Sequence, residues 1–180
     1  MGASSNWQLD WGPLSNRPKI AEEAIEGTAT SGWWSLSYFG GTIHLMAHLD
    51  HIGIAVSNLS QLQKLFEILG TKTAHTEPVL EQGVVTHFLP LELKQTNLEL
   101  LEVTDPQGTV AKFIEKRGPG IHHLSFRLGK GQLDLISSHL AAEGYKLIYP
   151  QPKKGAHNMM VNFIHPSTAG GLLIEIMEPA

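Results

Sequence analysis

Hydrophobic and polar positions follow the same order twice along the chain. Residues 49–56 alternate as in a half-buried strand, and residues 121–128 repeat that alternation. A stripe of apolar residues at helical spacing follows each strand and ends at a glycine, Gly70 in the first copy and Gly144 in the second. Three further strands are predicted in each copy, at 72–76, 83–90 and 97–103, and at 145–149, 158–164 and 172–178. Each copy therefore predicts the order β-α-β-β-β.

The duplication also predicts the domain limits. One α+β domain is expected over residues 46–180, with module 1 at about 47–104 and module 2 at about 121–180. The linker, residues 105–120, should contain a short helix from Thr109 to Lys116. Residues 1–45 lack periodicity and are predicted to be an N-terminal extension. That extension either packs on the domain through its tryptophans, or is poorly ordered or foreign to the natural protein. The second interpretation is favoured, because patterned sequence begins abruptly after Met46.

Composition and charge narrow the classes of function. Of the 180 residues, 42% are hydrophobic and 17% charged, which is typical of a globular protein. The net charge of -4 predicts neither nucleic-acid nor membrane partners. The chain has no cysteine, so any metal must be held by nitrogen and oxygen ligands. No stretch has the length of a membrane helix, and the acidic residues of the N-terminus argue against a signal or transit peptide, so we expect a cytoplasmic protein.

One histidine and one glutamate occupy matching places in the two copies. His51 and His123 lie in the first strands, and Glu99 and Glu175 follow them by 48 and 52 residues (99 − 51 and 175 − 123) in the last strands. A carboxylate among leucine and isoleucine is costly to bury without a partner. Two imidazoles and two carboxylates related by a pseudo-twofold axis would suit a divalent ion such as Zn, Mn, Co, Ni, Fe or Mg. Alternatively the glutamates face solvent, but the duplication favours a metal site with open positions for a substrate.

Several motifs resemble one known superfamily. They are Asp50-His51-Ile52-Gly53-Ile54-Ala55-Val56, Glu81-Gln82-Gly83-Val84, residues 111–118, Gly120-Ile121-His122-His123, Gly155-Ala156-His157, Phe163-Ile164-His165-Pro166 and residues 170–175. In this order they resemble the vicinal-oxygen-chelate (glyoxalase/bleomycin-resistance/dioxygenase) superfamily, and within it the methylmalonyl-CoA epimerases. The resemblance covers residues 47–178.

The resemblance implies a fold, a cofactor and a reaction. The fold is two βαβββ modules around a central metal cleft. The cofactor is a divalent metal ion (Co, Mn, Zn, Ni or Mg) held by His51, Glu99, His123 and Glu175. The reaction interconverts (2R)- and (2S)-methylmalonyl-CoA by removal and return of the α proton through a metal-stabilised enolate. Glu175 is the expected base and Glu99 its possible counterpart. A small-molecule acyl-CoA substrate and a homodimer are also implied.

One position departs from the resemblance. Some epimerases carry a second glutamate where this chain has Thr86, which cannot act as a base at neutral pH. The two-base assignment therefore stays open. Substrate contacts are expected from His157, Lys153, Lys154 and Gln82.

Other functions of the same fold compete with the epimerase. One is a glyoxalase I-like lactoylglutathione lyase, and another is a non-catalytic ligand-binding protein, which would not need four metal-competent residues. An extradiol dioxygenase is less favoured because it would use two histidines and one carboxylate.

Overall fold

The computed structural model describes the backbone of residues 34–38, 41–45, 47–91 and 96–180, and side chains from residue 47 onward within those ranges. The chain divides into two compact units, Met1–His44 and Leu45–Ala180. Near the boundary, strands β1 (Trp34–Tyr38) and β2 (Gly41–Leu45) pair in a two-stranded sheet. Most of the predicted N-terminal extension, residues 1–45, lies outside the described residues. Within the described ranges, no helix has the length and apolar character needed to span a membrane.

The remaining elements form the two predicted modules. Module 1 contains β3 (His48–Val56), α1 (Leu59–Ile68), β4 (His75–Val79), β5 (Val84–Pro90) and β6 (Asn97–Val103). Helix α2 (Thr109–Arg117) links it to module 2. Module 2 contains β7 (Gly120–Arg127), α3 (Leu133–Ala142), β8 (Lys153–Lys154), β9 (Met159–Ile164) and β10 (Ile174–Pro179). The β-α-β-β-β order is thus confirmed in both copies.

The eight strands of the modules form one sheet whose order reflects the duplication. The order is β4-β5-β6-β3-β7-β10-β9-β8, so the first strands of the modules, β3 and β7, lie side by side in the middle. They run antiparallel to each other. The last strand of each module, β6 or β10, lies parallel to that module's first strand. The strands that carry the repeated histidines and glutamates therefore occupy the four central positions.

Strand register places the repeated side chains on one face. Gly53 lies opposite both Glu99 and His123, and Ser125 lies opposite both His51 and Glu175. Paired residues in a sheet point to the same side, and so do residues two apart on a strand. All four predicted ligands consequently share one face, which we call the inner face.

Helices α1 and α3 cover the opposite face. Apolar residues of α1 pack against Val56, Leu89 and Leu100. Leu133 of α3 packs against Leu128 and Ile176. The alternation of leucine and isoleucine with glutamate along β6 and β10 thus separates a hydrophobic core on one side from the polar centre on the other.

Two predicted strands differ from the structure in position. Strand β4 begins at His75, three residues after the start of the predicted strand 72–76. The turn at Leu80–Gln82 and Gly83 (φ 66°) pairs Val79 directly with Val84, and this register makes His75 the first paired residue, opposite Phe88. The predicted strand 145–149 does not form; only an isolated bridge joins Leu147 to Ile164.

The side chain of Asn162 replaces backbone pairing at Tyr149, the end of the predicted strand, whereas Lys146 and Ile148 keep backbone hydrogen bonds to His165 and Phe163. Oδ1 of Asn162 accepts a hydrogen bond from the backbone N–H of Tyr149 at 3.1 Å, and Nδ2 of Asn162 donates to the carbonyl of Tyr149 at 3.0 Å. A side chain that binds both backbone groups of a residue takes the place of strand pairing at that residue. The short strand β8 then pairs with β9 further along the chain.

Candidate metal centre

The four predicted ligands lie together in the middle of the inner face. All are buried, with exposed fractions of 6% for His51, 8% for Glu99, 4% for His123 and 5% for Glu175. His51, Glu99 and His123 each offer one ligand atom, and these atoms all lie within 4.8 Å of one another. Glu175 joins the group through its Oε2, which is 3.1 Å from Nε2 of His51. The curled sheet thus brings two ligands from each module to one place.

The two imidazoles approach each other edge to face. Nε2 of His51 is 3.0 Å from Nε2 of His123, and the ring planes are 85° apart. On the other side of its ring, Nδ1 of His51 lies 3.2 Å from Oε1 of Glu99. Side chains from three other strands therefore contact the His51 ring, which lies at the centre of the cluster.

Burial and charge set the protonation of this cluster. Burial lowers the pKa of His51, but Asp50, Glu175 and Glu99 outweigh it and raise that pKa to about 10. Burial lowers the pKa of His123 to about 3. Burial raises the pKa of Glu99 to about 7, whereas for Glu175 the effect of burial is outweighed by His51 and His123, and its pKa is held below the ordinary value. The cluster thus holds one imidazolium next to a neutral imidazole and an ionised Glu175.

The donor set fits a divalent cation. Oε2 of Glu175 is a buried carboxylate oxygen without a hydrogen-bond partner among the described residues. Leaving such an oxygen unpaired is costly, and in this cluster the protonated His51, 3.1 Å away, is the nearest charge that offsets it. Two imidazole nitrogens and two carboxylates are ligands that transition metals and Mg²⁺ accept. A divalent cation would satisfy the orphan oxygen and displace the proton from His51.

Asp50 and Arg127 form a second layer that the sequence analysis did not assign. Oδ1 of Asp50 is 3.1 Å from Nδ1 of His51, and Oδ2 of Asp50 is 2.6 Å from the Arg127 guanidinium. A carboxylate on the far nitrogen of a ligating histidine fixes its ring and tautomer. The sequence signal was available in the adjacent pair Asp50-His51, but adjacent strand residues normally point to opposite faces.

A cleft opens over this centre. Its lining consists of Asp50, His51, Val79, Gln82, Thr86, Glu99, His123, Arg127, Ala156, His157, Met159, Val161, Glu175 and Met177. Of the predicted substrate contacts, Gln82 and His157 are therefore in the cleft. Lys153 and Lys154 are exposed on β8 and are not among the lining residues; Nζ of Lys153 lies 4.2 Å from the centre of the Tyr149 ring.

Two other histidines are not among the residues that line the cleft, although Nδ1 of His122 is 3.0 Å from Nδ1 of His123. His122 packs edge to face on Phe113 of α2, with ring centres 5.0 Å apart. Nε2 of His87 is 3.0 Å from Oε2 of Glu102, so His87 points to the other face from its neighbour Thr86. Both are accounted for by packing or pairing.

A second polar group at the rim of the cleft was also missed by the sequence analysis. It consists of His75, Glu77 and His157, whose ligand atoms lie within 4.8 Å of one another. Oε2 of Glu77 is 3.2 Å from Nε2 of His157 and 4.0 Å from Nε2 of His75. No spacing in the sequence indicates this contact, because β4 and the segment before β9 meet only when the sheet curls.

Comparison with known proteins agrees with the predicted superfamily. Residues 50–163 match the family model described as the Glyoxalase/Bleomycin resistance protein/Dioxygenase superfamily. An uncharacterised Bacillus subtilis protein, YqjC, is 35% identical over 137 residues, which cover 74% of this chain and 94% of that protein. The mitochondrial methylmalonyl-CoA epimerase of Dictyostelium discoideum is 33% identical, covering 72% of this chain and 77% of the relative. The crystal structure of methylmalonyl-CoA epimerase from Mycobacterium tuberculosis superposes with a TM-score of 0.68 and 38% identity, covering 73% of this chain and 87% of that one.

Proposed function

The chain belongs to the Glyoxalase/Bleomycin resistance protein/Dioxygenase superfamily, and we propose that within it this protein is a metal-dependent methylmalonyl-CoA epimerase. The observation that carries the proposal is the buried cluster of His51, Glu99, His123 and Glu175 at the floor of a cleft, with one carboxylate oxygen unpartnered. A protein that only binds a ligand has no need of this costly arrangement. The relatives named as methylmalonyl-CoA epimerases supply the substrate class.

The metal site is proposed to use all four side chains. His51 and His123 supply imidazole nitrogens, and Glu99 and Glu175 supply carboxylate oxygens. Asp50 holds the His51 ring through Nδ1, and Arg127 holds Asp50. When bound, a divalent ion (Co, Mn, Zn, Ni or Mg) would polarise the substrate oxygens beside the reacting carbon and so stabilise the charge left when the proton departs.

Glu175 is the proposed base at the α carbon. Its pKa is held below the ordinary value by His51 and His123, so the carboxylate is ionised at neutral pH and ready to accept a proton. Its Oε2 makes no hydrogen bond among the described residues, and its ion-pair contact is with Nε2 of His51 at 3.1 Å. As Glu175 is also a proposed ligand, one of its oxygens has to leave the metal to take the proton. The surrounding side chains, among them Met177 and Val161, exclude water from the cleft wall and protect the carbanion from uncontrolled protonation.

Residues in the cleft and just outside it are proposed to bind the rest of the substrate. Gln82 and His157 lie in the cleft and can donate hydrogen bonds to the substrate's carboxylate or thioester oxygen. Lys153 and Lys154 are exposed cations outside the cleft and suit the phosphates of CoA.

Proton NMR in deuterated water tests the proposal directly. With metal-loaded protein, the α proton of methylmalonyl-CoA should be replaced by deuterium and the two epimers should interconvert. A chelator or the substitution Glu175→Gln should reduce both by about 100-fold or more. Retention of the α proton with metal fully bound would refute the epimerase, and turnover of a glutathione hemithioacetal instead would support the lactoylglutathione lyase.

A cytoplasmic homodimer completes the proposal. Light scattering during size-exclusion chromatography tests the dimer, since one chain has a mass of 19.7 kDa. Fractionation of cells that express the native gene tests the compartment.

A further inference from the structure

Epimerisation needs two proton transfers, one on each face of the reacting carbon, and Glu175 accounts for one of them. Seven residues that line the cleft can ionise: Asp50, His51, Glu99, His123, Arg127, His157 and Glu175. Four of these belong to the metal centre, and Asp50 and Arg127 pair with each other beside it. His157 remains. We propose that His157, oriented by Glu77, is the second proton-transfer group; this inference rests on the proposed epimerase function.

His157 reaches the cleft from a different direction than Glu175. Glu175 projects from β10 in the floor of the inner face, whereas His157 lies in the turn Ala156–Asn158 that precedes β9. Its ring lies against Phe88 of β5, with ring centres 4.4 Å apart. This contact places the turn over the other half of the sheet. The two groups therefore border the same cleft from the floor and from the rim.

The backbone of this turn is held in an uncommon conformation. His157 has φ 51° and its neighbour Asn158 has φ 55°, both in the left-handed region. A residue with a side chain adopts that region at a cost and keeps it only when its surroundings require it. The ion pair with Glu77 and the ring contacts with Phe88 and His75 fix the ring here.

Glu77 is the positioning residue of this pair. It lies directly opposite Thr86 in the β4–β5 register, so its side chain starts from the cleft face, one strand beyond Thr86. Thr86 is 2% exposed and lines the cleft but carries no group that ionises near neutral pH. Oε2 of Glu77 lies 3.2 Å from Nε2 of His157, and this ion-pair contact leaves Nδ1 as the exchanging nitrogen.

The proton transfers balance in both directions. When Glu175 takes the α proton from one face, the His157 imidazolium gives its Nδ1 proton to the same carbon from the other face and becomes neutral. In the reverse reaction, neutral His157 accepts the α proton on Nδ1, and protonated Glu175 returns its own. Glu99 is a poorer candidate for this second role, because it projects from β6 in the same floor of the inner face as Glu175, whereas the second group must approach the carbon from the other side.

Deuterium exchange measured separately on each epimer tests the assignment. Wild-type protein should exchange the α proton of both epimers. His157→Gln should slow exchange from one epimer by about 100-fold or more and abolish interconversion, while exchange from the epimer that faces Glu175 stays within about 5-fold of wild type. A role in folding or substrate binding alone would slow both epimers equally, and that result would overturn the proposal.

Variants of the neighbouring residues sharpen the test. Glu77→Gln should produce the same one-sided loss, about 10-fold, and Glu77→Asp should recover part of it because a carboxylate is kept. His139→Gln is the matched control: His139 lies in α3, which covers the opposite face of the sheet from the cleft, so both exchange rates should stay near wild type.

Two other outcomes also decide the matter. A second equivalent of Zn²⁺ or Mn²⁺ bound by wild-type protein and lost in His75→Gln would make the rim group a metal site and overturn the proton-transfer role. If metal-bound wild-type protein exchanges the α proton of neither epimer, the proposed epimerase function is wrong. The wild-type exchange rate therefore separates a failure of the epimerase function from a failure of the role proposed for His157.

Discussion

The ring of His123 lies directly over the α carbon of Gly53 on the neighbouring strand. A β carbon at residue 53 would be 2.3 Å from Cε1 of His123 and 2.5 Å from its Nδ1. The two residues are paired in the β3–β7 register at the centre of the sheet. The absence of a side chain at Gly53 is therefore what allows the second-module histidine to reach the metal centre.

Gly53→Ala should weaken metal binding without unfolding the protein. The added methyl group must push the His123 ring away from Nε2 of His51, which is 3.0 Å distant. We expect the affinity for Mn²⁺ or Zn²⁺ to fall by about 10-fold or more, as measured by calorimetric titration. Gly129→Ala is the control, since a β carbon there would meet only the end of the flexible Gln132 side chain, at 3.1 Å. Equal affinity in the two variants would contradict this account of Gly53.

Metal binding should release protons, and the number should fall as the pH rises. In the metal-free protein the pKa of His51 is about 10 and that of Glu99 about 7, so at pH 7 His51 is protonated and Glu99 is about half protonated. Both must lose their protons to bind a metal, giving about 1.5 protons released at pH 7 and about 1 near pH 8.5. His123 and Glu175 contribute none, because their pKa values are lowered.

Calorimetry in buffers with different ionisation enthalpies measures this proton release. Protons compete with the metal for His51 and Glu99 as long as the pH is below the raised pKa values of these side chains. The apparent affinity for the metal should therefore increase with pH up to about 10. A pH-independent affinity between pH 7 and 9 would mean that His51 is already neutral in the metal-free protein.

Asp50→Asn should lower the pKa of His51 in the metal-free protein. The carboxylate of Asp50 lies 3.1 Å from Nδ1 of His51 and favours the charged ring. Removing that charge should shift the titration midpoint down by about 1 to 3 units, observable by NMR of labelled histidine. Asp134→Asn, in the first turn of α3, should leave the midpoint unchanged. An unchanged midpoint in Asp50→Asn would show that the other carboxylates alone hold the proton.

The ligand set could be predicted from the sequence because it repeats. The histidine of each first strand and the glutamate of each last strand recur in order, and the sheet places these strands next to one another. Asp50 could not be predicted in the same way. The register of β3 against β7 shifts between Leu49 and His51, and this irregularity turns Asp50 toward the site of its neighbour His51, although alternation along a regular strand would separate them.

The contact between Glu77 and His157 could not be predicted from the sequence for another reason. The two residues belong to opposite ends of the strand order, β4 and the segment before β9, and meet only through the curvature of the whole sheet. Similarly, alternation predicted a strand at 145–149 because apolar periodicity does not reveal which backbone groups a distant side chain will bind. These features depend on tertiary structure, whereas the modules depend on local pattern.

Asn162→Ala should destabilise the fold more than the same change at an exposed asparagine. The Asn162 side chain is 1% exposed, and its Oδ1 also accepts a hydrogen bond from the N–H of Phe163 at 2.8 Å. Its loss leaves the backbone N–H and carbonyl of Tyr149 without these partners, and we expect a decrease of about 2–3 kcal/mol in the free energy of unfolding by urea. Asn58→Ala removes the exposed cap of α1, whose Oδ1 accepts from Gln61, and should cost about 1 kcal/mol. If Asn162→Ala cost no more than Asn58→Ala, the Asn162 side chain would not be what holds Tyr149 against β9.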